Sequence, residues 1–90
     1  MTTTIEHDEW CRNHFRIMRD GGTWAVPRSG LIYNKRGGKL VLVARMPHDP
    51  AMPITAEQLD TQQRADFNVT KTSFYAVGID VVWGLPGLTP

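Results

Sequence analysis

The residues that follow the proline-rich segment 47–54 repeat apolar side chains at helical spacing. A stripe about 80° wide on such a helix contains Ala56, Leu59, Gln63, Phe67, Thr70, Phe74 and Val77. Thr55 and Gln58 have capping-box spacing, in which each side chain pairs with the backbone amide of the other residue. Gly78 then ends the helix. An amphipathic helix of this length has to cover an apolar surface that the rest of the chain supplies.

Strands are predicted on both sides of this helix. Residues 40–44 before it form a continuous apolar run, which is typical of a strand that is central in its sheet or covered on both faces. Residues 79–83 after it alternate as in a half-buried strand. The helix returns the chain, so the second strand can run parallel to the first through a right-handed crossover.

Two further strands are predicted upstream, in residues 24–26 and 31–33. The turn-forming tetrapeptide 27–30 separates them, and residues 34–38 make a second turn before the apolar run. Together these segments form an antiparallel meander. The alternative is one long strand with a bulge at Pro27.

The chain begins with another predicted helix, over residues 5–20. Thr3 and Glu6 have capping-box spacing, and Gly21 and Gly22 suit its C-terminal cap. One broad face contains His7, Trp10, Cys11, His14, Phe15, Ile17 and Met18, and the opposite face contains Arg12, Arg16 and Arg19.

The predicted fold class is therefore α+β, with element order α-β-β-(β)-α-β. We expect a small mixed sheet of three to four strands with two helices on one face. Ninety residues make one domain, residues 1–90, in which 84–90 form an irregular C-terminal tail.

Composition indicates the cellular compartment in which we expect the protein. Cys11 is the only cysteine, so no intramolecular disulfide forms, and small secreted domains usually have several. The first residues lack a signal peptide, and no apolar run approaches the roughly 20 residues that span a membrane. We expect a soluble, cytoplasmic protein without a membrane partner.

Three residues on the first helix have chemistry that suits a metal. His7, Cys11 and His14 lie in one line, and imidazole and thiolate are zinc ligands. His7 and His14 are about 10.5 Å apart along the axis, which would stretch a common site, and a further ligand such as His48 or Asp49 would be needed. The simpler interpretation is that they pack on the apolar face, so we expect no metal and no cofactor.

Basic residues offer a nucleic-acid site. Residues 1–46 have a net charge of +4 and residues 47–90 of −3. Arg28, Lys35, Arg36 and Lys39 lie at the turns of the strand region, near Trp24 and Tyr33, and such groups can bind phosphate and stack on bases. Charged turns are also common for solubility, and a chain charge of +1 argues against dominant phosphate contact.

No catalytic motif is present in the sequence. Ser29, His48 and Asp49 are residue types that hydrolases use, but nothing in their spacing fixes a mutual geometry. We therefore expect that the protein is not an enzyme.

The remaining candidate is a protein-binding surface. The tail places Trp83 and Leu85 near a chain end, where they pack on their own domain or on something else. With Tyr75 and the helix-face arginines Arg12, Arg16 and Arg19, they form the predicted surface. The sequence thus favours a small non-enzymatic protein-binding or regulatory module, acting on a protein partner or another copy of itself, of the kind found as accessory proteins of phages and mobile elements. A nucleic-acid-binding protein with a basic hairpin is the alternative.

Overall fold

A computed structural model of the chain describes residues 4–86, with side chains from residue 6 onward. Its elements are α1 (Thr4–Ile17), β1 (Thr23–Val26), β2 (Leu31–Arg36), β3 (Lys39–Arg45), α2 (Ala56–Tyr75) and β4 (Val81–Trp83). The predicted α+β class and element order are confirmed. Neither helix within these residues combines the length and hydropathy that a membrane crossing requires.

The sheet has the strand order β1-β2-β3-β4. The first two pairs are antiparallel, and β3 pairs with β4 in parallel through the α2 crossover. The apolar strand β3 is therefore central, as the sequence predicted. Gly37 and Gly38 both have positive φ, at 56° and 77°, which allows the tight turn between β2 and β3.

The sheet contains a bulge, but not at Pro27. Tyr33 pairs with Leu42 while Ile32 pairs with Ala44, so Val43 is an extra residue on β3. Pro27 lies in the turn between β1 and β2, where its missing amide hydrogen costs no ladder bond.

Helix α1 ends three residues earlier than predicted. Gly21, expected as its C-terminal cap, instead donates its amide to the Lys35 carbonyl and joins α1 to the sheet. The Lys35 ammonium donates hydrogen bonds to the carbonyl oxygens of Phe15 and Met18, and so caps the C-terminal end of the helix. The predicted capping residue Thr3 lies outside the described residues.

Helix α2 begins as predicted. The Gln58 amide donates to Thr55 Oγ1 at 3.1 Å, and the Thr55 amide donates to Gln58 Oε1 at 2.8 Å. The buried residues of the predicted stripe are Leu59, Gln63, Phe67, Thr70 and Phe74. Ala56 is exposed at the first turn, and Val77 lies just beyond the last one.

Both helices cover the same face of the sheet. The Trp24 ring contacts His14 of α1 and Phe74 of α2, at centroid separations of 5.0 Å and 5.7 Å. The fully enclosed core consists of Cys11, Leu31, Tyr33, Leu40, Leu42, Phe67, Phe74 and Val81. Trp10 and Ile17, predicted on the apolar face of α1, are 50% and 76% exposed, because α1 buries a narrower seam than its composition suggested.

Candidate functional site

The three metal-ligand candidates on α1 do not converge. Cys11 Sγ lies 3.7 Å from His7 Nε2, one helical turn away. The His14 ring instead stacks on Trp10, with centroids 4.9 Å apart. Within residues 4–86, no group of three or more His, Cys, Asp or Glu side chains could hold a metal ion.

Burial makes Cys11 and His14 poor reactive groups. Desolvation raises the pKa of the Cys11 thiol, with a smaller contribution from the Asp8 carboxylate, so the nucleophilic thiolate is disfavoured. Desolvation lowers the pKa of His14, and among the described groups its buried Nε2 has no hydrogen-bond partner. Both side chains are therefore neutral near pH 7 and pack between α1 and β1.

The four basic residues assigned to nucleic acid lie at opposite ends of the sheet. Arg28 is in the β1–β2 turn, where its guanidinium pairs with Asp66 at 3.1 Å. Lys35, Arg36 and Lys39 belong to the β2–β3 hairpin, about 20 Å away across the six-residue strand β2. Lys35 is engaged with the end of α1, so Arg36 and Lys39 are the exposed cations of this hairpin.

The residues assigned to protein binding divide into two groups. Arg12, Arg16 and Arg19 are exposed on α1, and Tyr75 is 76% exposed near the end of α2. Trp83 and Leu85 instead pack against the domain's own core. Trp83 and Leu85 therefore pack on their own domain, which was one of the two alternatives for the tail. Residues 87–90 of the predicted tail lie outside the described part of the chain.

Two guanidinium groups lie against the ring of Trp83. Arg45 and Arg64 lie 5.6 Å and 5.4 Å from its ring centroid, and Phe67 meets its ring edge to face. Both arginines also bind Asp60, and their hydrogen bonds hold the pKa of that carboxyl below its ordinary value. This cluster joins β4 and the end of β3 to α2, so its charged side chains stabilise the fold.

The polar groups of the β1–β2 turn are likewise engaged with α2. Ser29 Oγ donates to Asp66 Oδ2 at 2.8 Å, and the buried Gln63 amide donates to the carbonyl oxygens of Ser29 and Met46. His48 Nε2 lies 2.8 Å from the Ile54 carbonyl oxygen. Ser29 and His48 are thus engaged with separate partners and do not form a nucleophile–base pair.

The face of the sheet that points away from the helices is a surface that the sequence analysis missed. Leu31, Tyr33, Leu40 and Leu42 point to the helices, so the residues that alternate with them point outward. We call this surface the outer face; its apolar members are Ala25, Ile32, Val41, Ala44 and Val82, and its polar members are Thr23, Asn34, Arg36 and Lys39.

The apolar members of the outer face are neighbours across the strands. Ile32 pairs with Ala25 on one side and with Ala44 on the other. On the next row, Val41 pairs with Val82. These residues form an apolar patch of two adjacent rows, with the polar Asn34 beside Val41 in the second row. The sequence signal for the patch was the continuous apolar run in β3.

The edges of the sheet are less suited to binding another strand. Within residues 4–86 no further strand pairs with β1 or β4. The two edge strands span only four and three residues, and Pro27 and Pro86 follow closely after them. Short edges next to proline discourage the addition of a further strand, so the outer face is the better interaction surface.

Comparisons of the chain with protein-family models, with curated proteins and with solved structures gave no match. Function therefore has to be inferred from the geometry of the chain itself.

Proposed function

We propose that this protein is a small, non-enzymatic binding module of the cytoplasm, with a regulatory or accessory role, that contacts another protein through the outer face of its sheet. The observation that supports this most directly is the apolar patch around Ile32 and Val41, on the side of the sheet away from both helices. Of its members, Ile32, Val41, Ala44 and Val82 are half-buried and Ala25 is exposed, so part of their apolar surface remains open to solvent. Such patches commonly mark interaction sites.

The polar groups of the outer face are compatible with burial against a partner. Thr23 Oγ1 donates to Asn34 Oδ1 at 3.1 Å, so these two side chains already satisfy part of each other's hydrogen-bonding capacity. The charged side chains Arg36 and Lys39 lie at the hairpin end, outside the centre of the patch. Contact with the centre would therefore desolvate few charges.

The same surface is less suited to nucleic acid. Proteins that bind single strands stack bases on exposed aromatic rings beside basic side chains. The outer face has no aromatic member among the residues described, since Trp24, Tyr33 and Trp83 point to the helix side. Two exposed cations of the hairpin, Arg36 and Lys39, supply little phosphate contact by themselves.

The test compares Val41→Lys, which places a charge in the centre of the patch, with Thr61→Lys, which makes the same change on the exposed side of α2. Each immobilised protein is presented with cell extract and with its own purified chain. We expect wild type and Thr61→Lys to retain a protein that Val41→Lys does not. Retention of the same proteins by all three would argue against the outer face.

A parallel titration of labelled DNA and RNA addresses the alternative. We expect fluorescence anisotropy to show no binding at physiological salt. Steeply salt-dependent binding that is lost in an Arg36→Ala, Lys39→Ala double variant would replace our proposal with nucleic-acid recognition.

A further inference from the structure

A cleft lies on the helix side of the sheet, where α1, β1 and α2 meet. Its volume is about 160 Å³. The apolar part of its lining comes from all three elements, with Trp10 on α1, Trp24 and Val26 on β1, and Val69 and Phe74 on α2. The cleft is therefore a different surface from the outer face, which lies on the opposite side of the sheet.

The rings that line the cleft are held in position by contacts with one another. Trp24 meets Trp10 and Phe74 edge to face, with ring centroids 6.2 Å and 5.7 Å apart. Trp24 also stacks on Tyr33 at 5.3 Å, and Trp10 stacks on His14 at 4.9 Å. A site whose rings are already positioned needs little reorganisation to accept a ligand.

Two large apolar side chains of the cleft remain open to solvent. Trp10 is 50% exposed and Val69 is 61% exposed, and they belong to the two different helices. A ligand in the cleft would remove part of both side chains from water, which favours its binding.

The size and the ring content of the cleft indicate the size and shape of its ligand. A dry apolar cavity of about 150 Å³ accepts one benzene ring, so the cleft has room for a single ring with a small substituent. Trp24 and Phe74 already pack edge to face, with an interplanar angle of 62°, and an aromatic ligand can extend this arrangement. A planar aromatic ring is therefore favoured over a saturated one.

The polar groups of the cleft indicate that the ligand is neutral. Of the described Arg, Lys, Asp and Glu side chains, two line the cleft, Arg28 and Asp66, and they pair with each other at 3.1 Å. The second oxygen of Asp66 accepts a hydrogen bond from Ser29. An ionised ligand would lose hydration without gaining an unpaired counter-charge. The hydroxyl groups of Thr70 and Ser73, which also line the cleft, are neutral donors and acceptors.

We propose that this cleft binds a small neutral aromatic molecule with one ring and one hydroxyl group, a phenol. The ring lies against Trp10, Trp24 and Phe74, and the hydroxyl group exchanges a hydrogen bond with Ser73. This inference goes beyond the proposed function and does not depend on it, because it gives the protein a ligand site on the side of the sheet that the outer face does not use.

Titration of the ¹⁵N-labelled protein with phenol, followed by NMR, tests the site. The chain contains three tryptophans, so the outcome is read from three indole N–H signals. Those of Trp10 and Trp24 should shift and saturate in the millimolar range or below, whereas that of Trp83, which does not line the cleft, should stay in place. Equal shifts of all three signals, or shifts that do not saturate, would overturn the proposal.

Ser73→Phe tests the location, because a phenyl group attached at this position fills the cleft from within. We expect this variant to lose the phenol-dependent shifts, whereas Thr72→Phe, the same change at the exposed neighbouring position, should bind phenol like the wild type. Circular dichroism checks the fold of both variants. Phenol binding of full strength by a folded Ser73→Phe would overturn the location.

A second pair of variants covers the case in which Ser73→Phe does not fold. Trp10→Ala removes a half-exposed ring and should weaken phenol binding about two- to ten-fold. Ile17→Ala, at a side chain of the same helix that is 76% exposed and does not line the cleft, should have no effect. Equal affinities of these two variants would contradict contact between the ligand and Trp10.

Three further compounds test the class of ligand. Cyclohexanol keeps the hydroxyl group and the six-membered ring of phenol but is not planar, whereas benzoate and benzylammonium keep the aromatic ring and add a charge. All three should bind more weakly than phenol. Equal binding of cyclohexanol would overturn the preference for an aromatic ring, and equal binding of either ion would overturn the preference for a neutral ligand.

Val41→Lys separates this site from the proposed function. Its side chain belongs to the outer face, so the variant should bind phenol like the wild type even where it no longer retains a protein. A folded Val41→Lys that loses phenol binding would show that the cleft is not the site. Failure of phenol to bind to the wild type would leave the retention of a protein by the outer face as a separate result.

Discussion

Lys35 Nζ donates a hydrogen bond of 2.8 Å to the carbonyl oxygen of Phe15, which joins the β2–β3 hairpin to the last turn of α1. The same ammonium donates to the Met18 carbonyl at 3.1 Å and lies 4.3 Å from the centroid of the Phe15 ring. A positive charge at this position also complements the negative end of the helix dipole. Lys35, which the charge pattern indicated as a candidate for binding nucleic-acid phosphate, thus has a structural role.

Replacement of Lys35 by methionine should destabilise the domain. The change removes two charge-assisted hydrogen bonds and leaves the last carbonyls of α1 without this donor, at a cost of about 1–3 kcal/mol in the free energy of unfolding. Urea unfolding followed by tryptophan fluorescence measures this. Lys39→Met, on the exposed side of the same hairpin, should cost less than about 0.5 kcal/mol, and an equal loss in both variants would contradict the capping role.

Gln63 should contribute about as much to the stability of the domain as Lys35 does, although its side chain is uncharged. Its buried amide donates to the carbonyl oxygens of Ser29, at 3.2 Å, and of Met46, at 2.9 Å. Gln63→Leu keeps the volume but leaves both acceptors without this donor, which should cost about 1–3 kcal/mol in the free energy of unfolding. The matched change at the exposed neighbour, Gln62→Leu, should be nearly neutral in the same urea titration.

Cys11 should be protected from thiol reagents in the folded protein. Its side chain is fully buried and burial raises its pKa, so both access and thiolate formation are suppressed. Reaction with an aromatic disulfide reagent should be slow in buffer and fast in denaturing urea. The destabilised Gln63→Leu variant should react faster than wild type, because opening of the fold limits the rate. A rapid reaction of the native wild type would show that Cys11 is accessible.

The parts of the fold that the sequence predicted depend on local patterns. The capping box of Thr55 and Gln58 and the apolar spacing from Leu59 to Phe74 are contained within one helix, so the chain alone specified α2. The parallel pairing of β3 with β4 followed because a single crossover helix leaves few other arrangements.

The outer face could not be predicted in this way. Strand β3 is apolar at successive positions, so alternation does not indicate which side of Val41 and Leu42 faces the helices. Only the register with Tyr33, and the bulge at Val43, decides this. The role of Lys35 was inaccessible for the same reason, since its two acceptors are 17 and 20 residues away in sequence.

The pH dependence of stability should report on His14. Its pKa in the folded protein is lowered from 6.5 by burial, so the unfolded chain binds the proton more readily. The free energy of unfolding has its full value when the pH is above the pKa of His14 in the unfolded chain. It decreases as the pH falls from that value towards the pKa of His14 in the folded protein. We therefore expect the urea midpoint to decrease between about pH 7 and about pH 5.

Two variants assign that decrease to His14. His14→Gln should flatten the dependence, whereas His7→Gln, which replaces an exposed imidazole one turn before Cys11, should retain it. Asp60 does not add to this decrease. The pKa of its carboxyl in the folded protein is held below the ordinary value of 3.8, so its contribution to the free energy of unfolding is fully present above that pH and is lost only at lower pH. A midpoint that is unchanged between the two pH values, or a decrease that persists in His14→Gln, would show that the imidazole can be protonated without loss where it packs against Trp10 and Trp24.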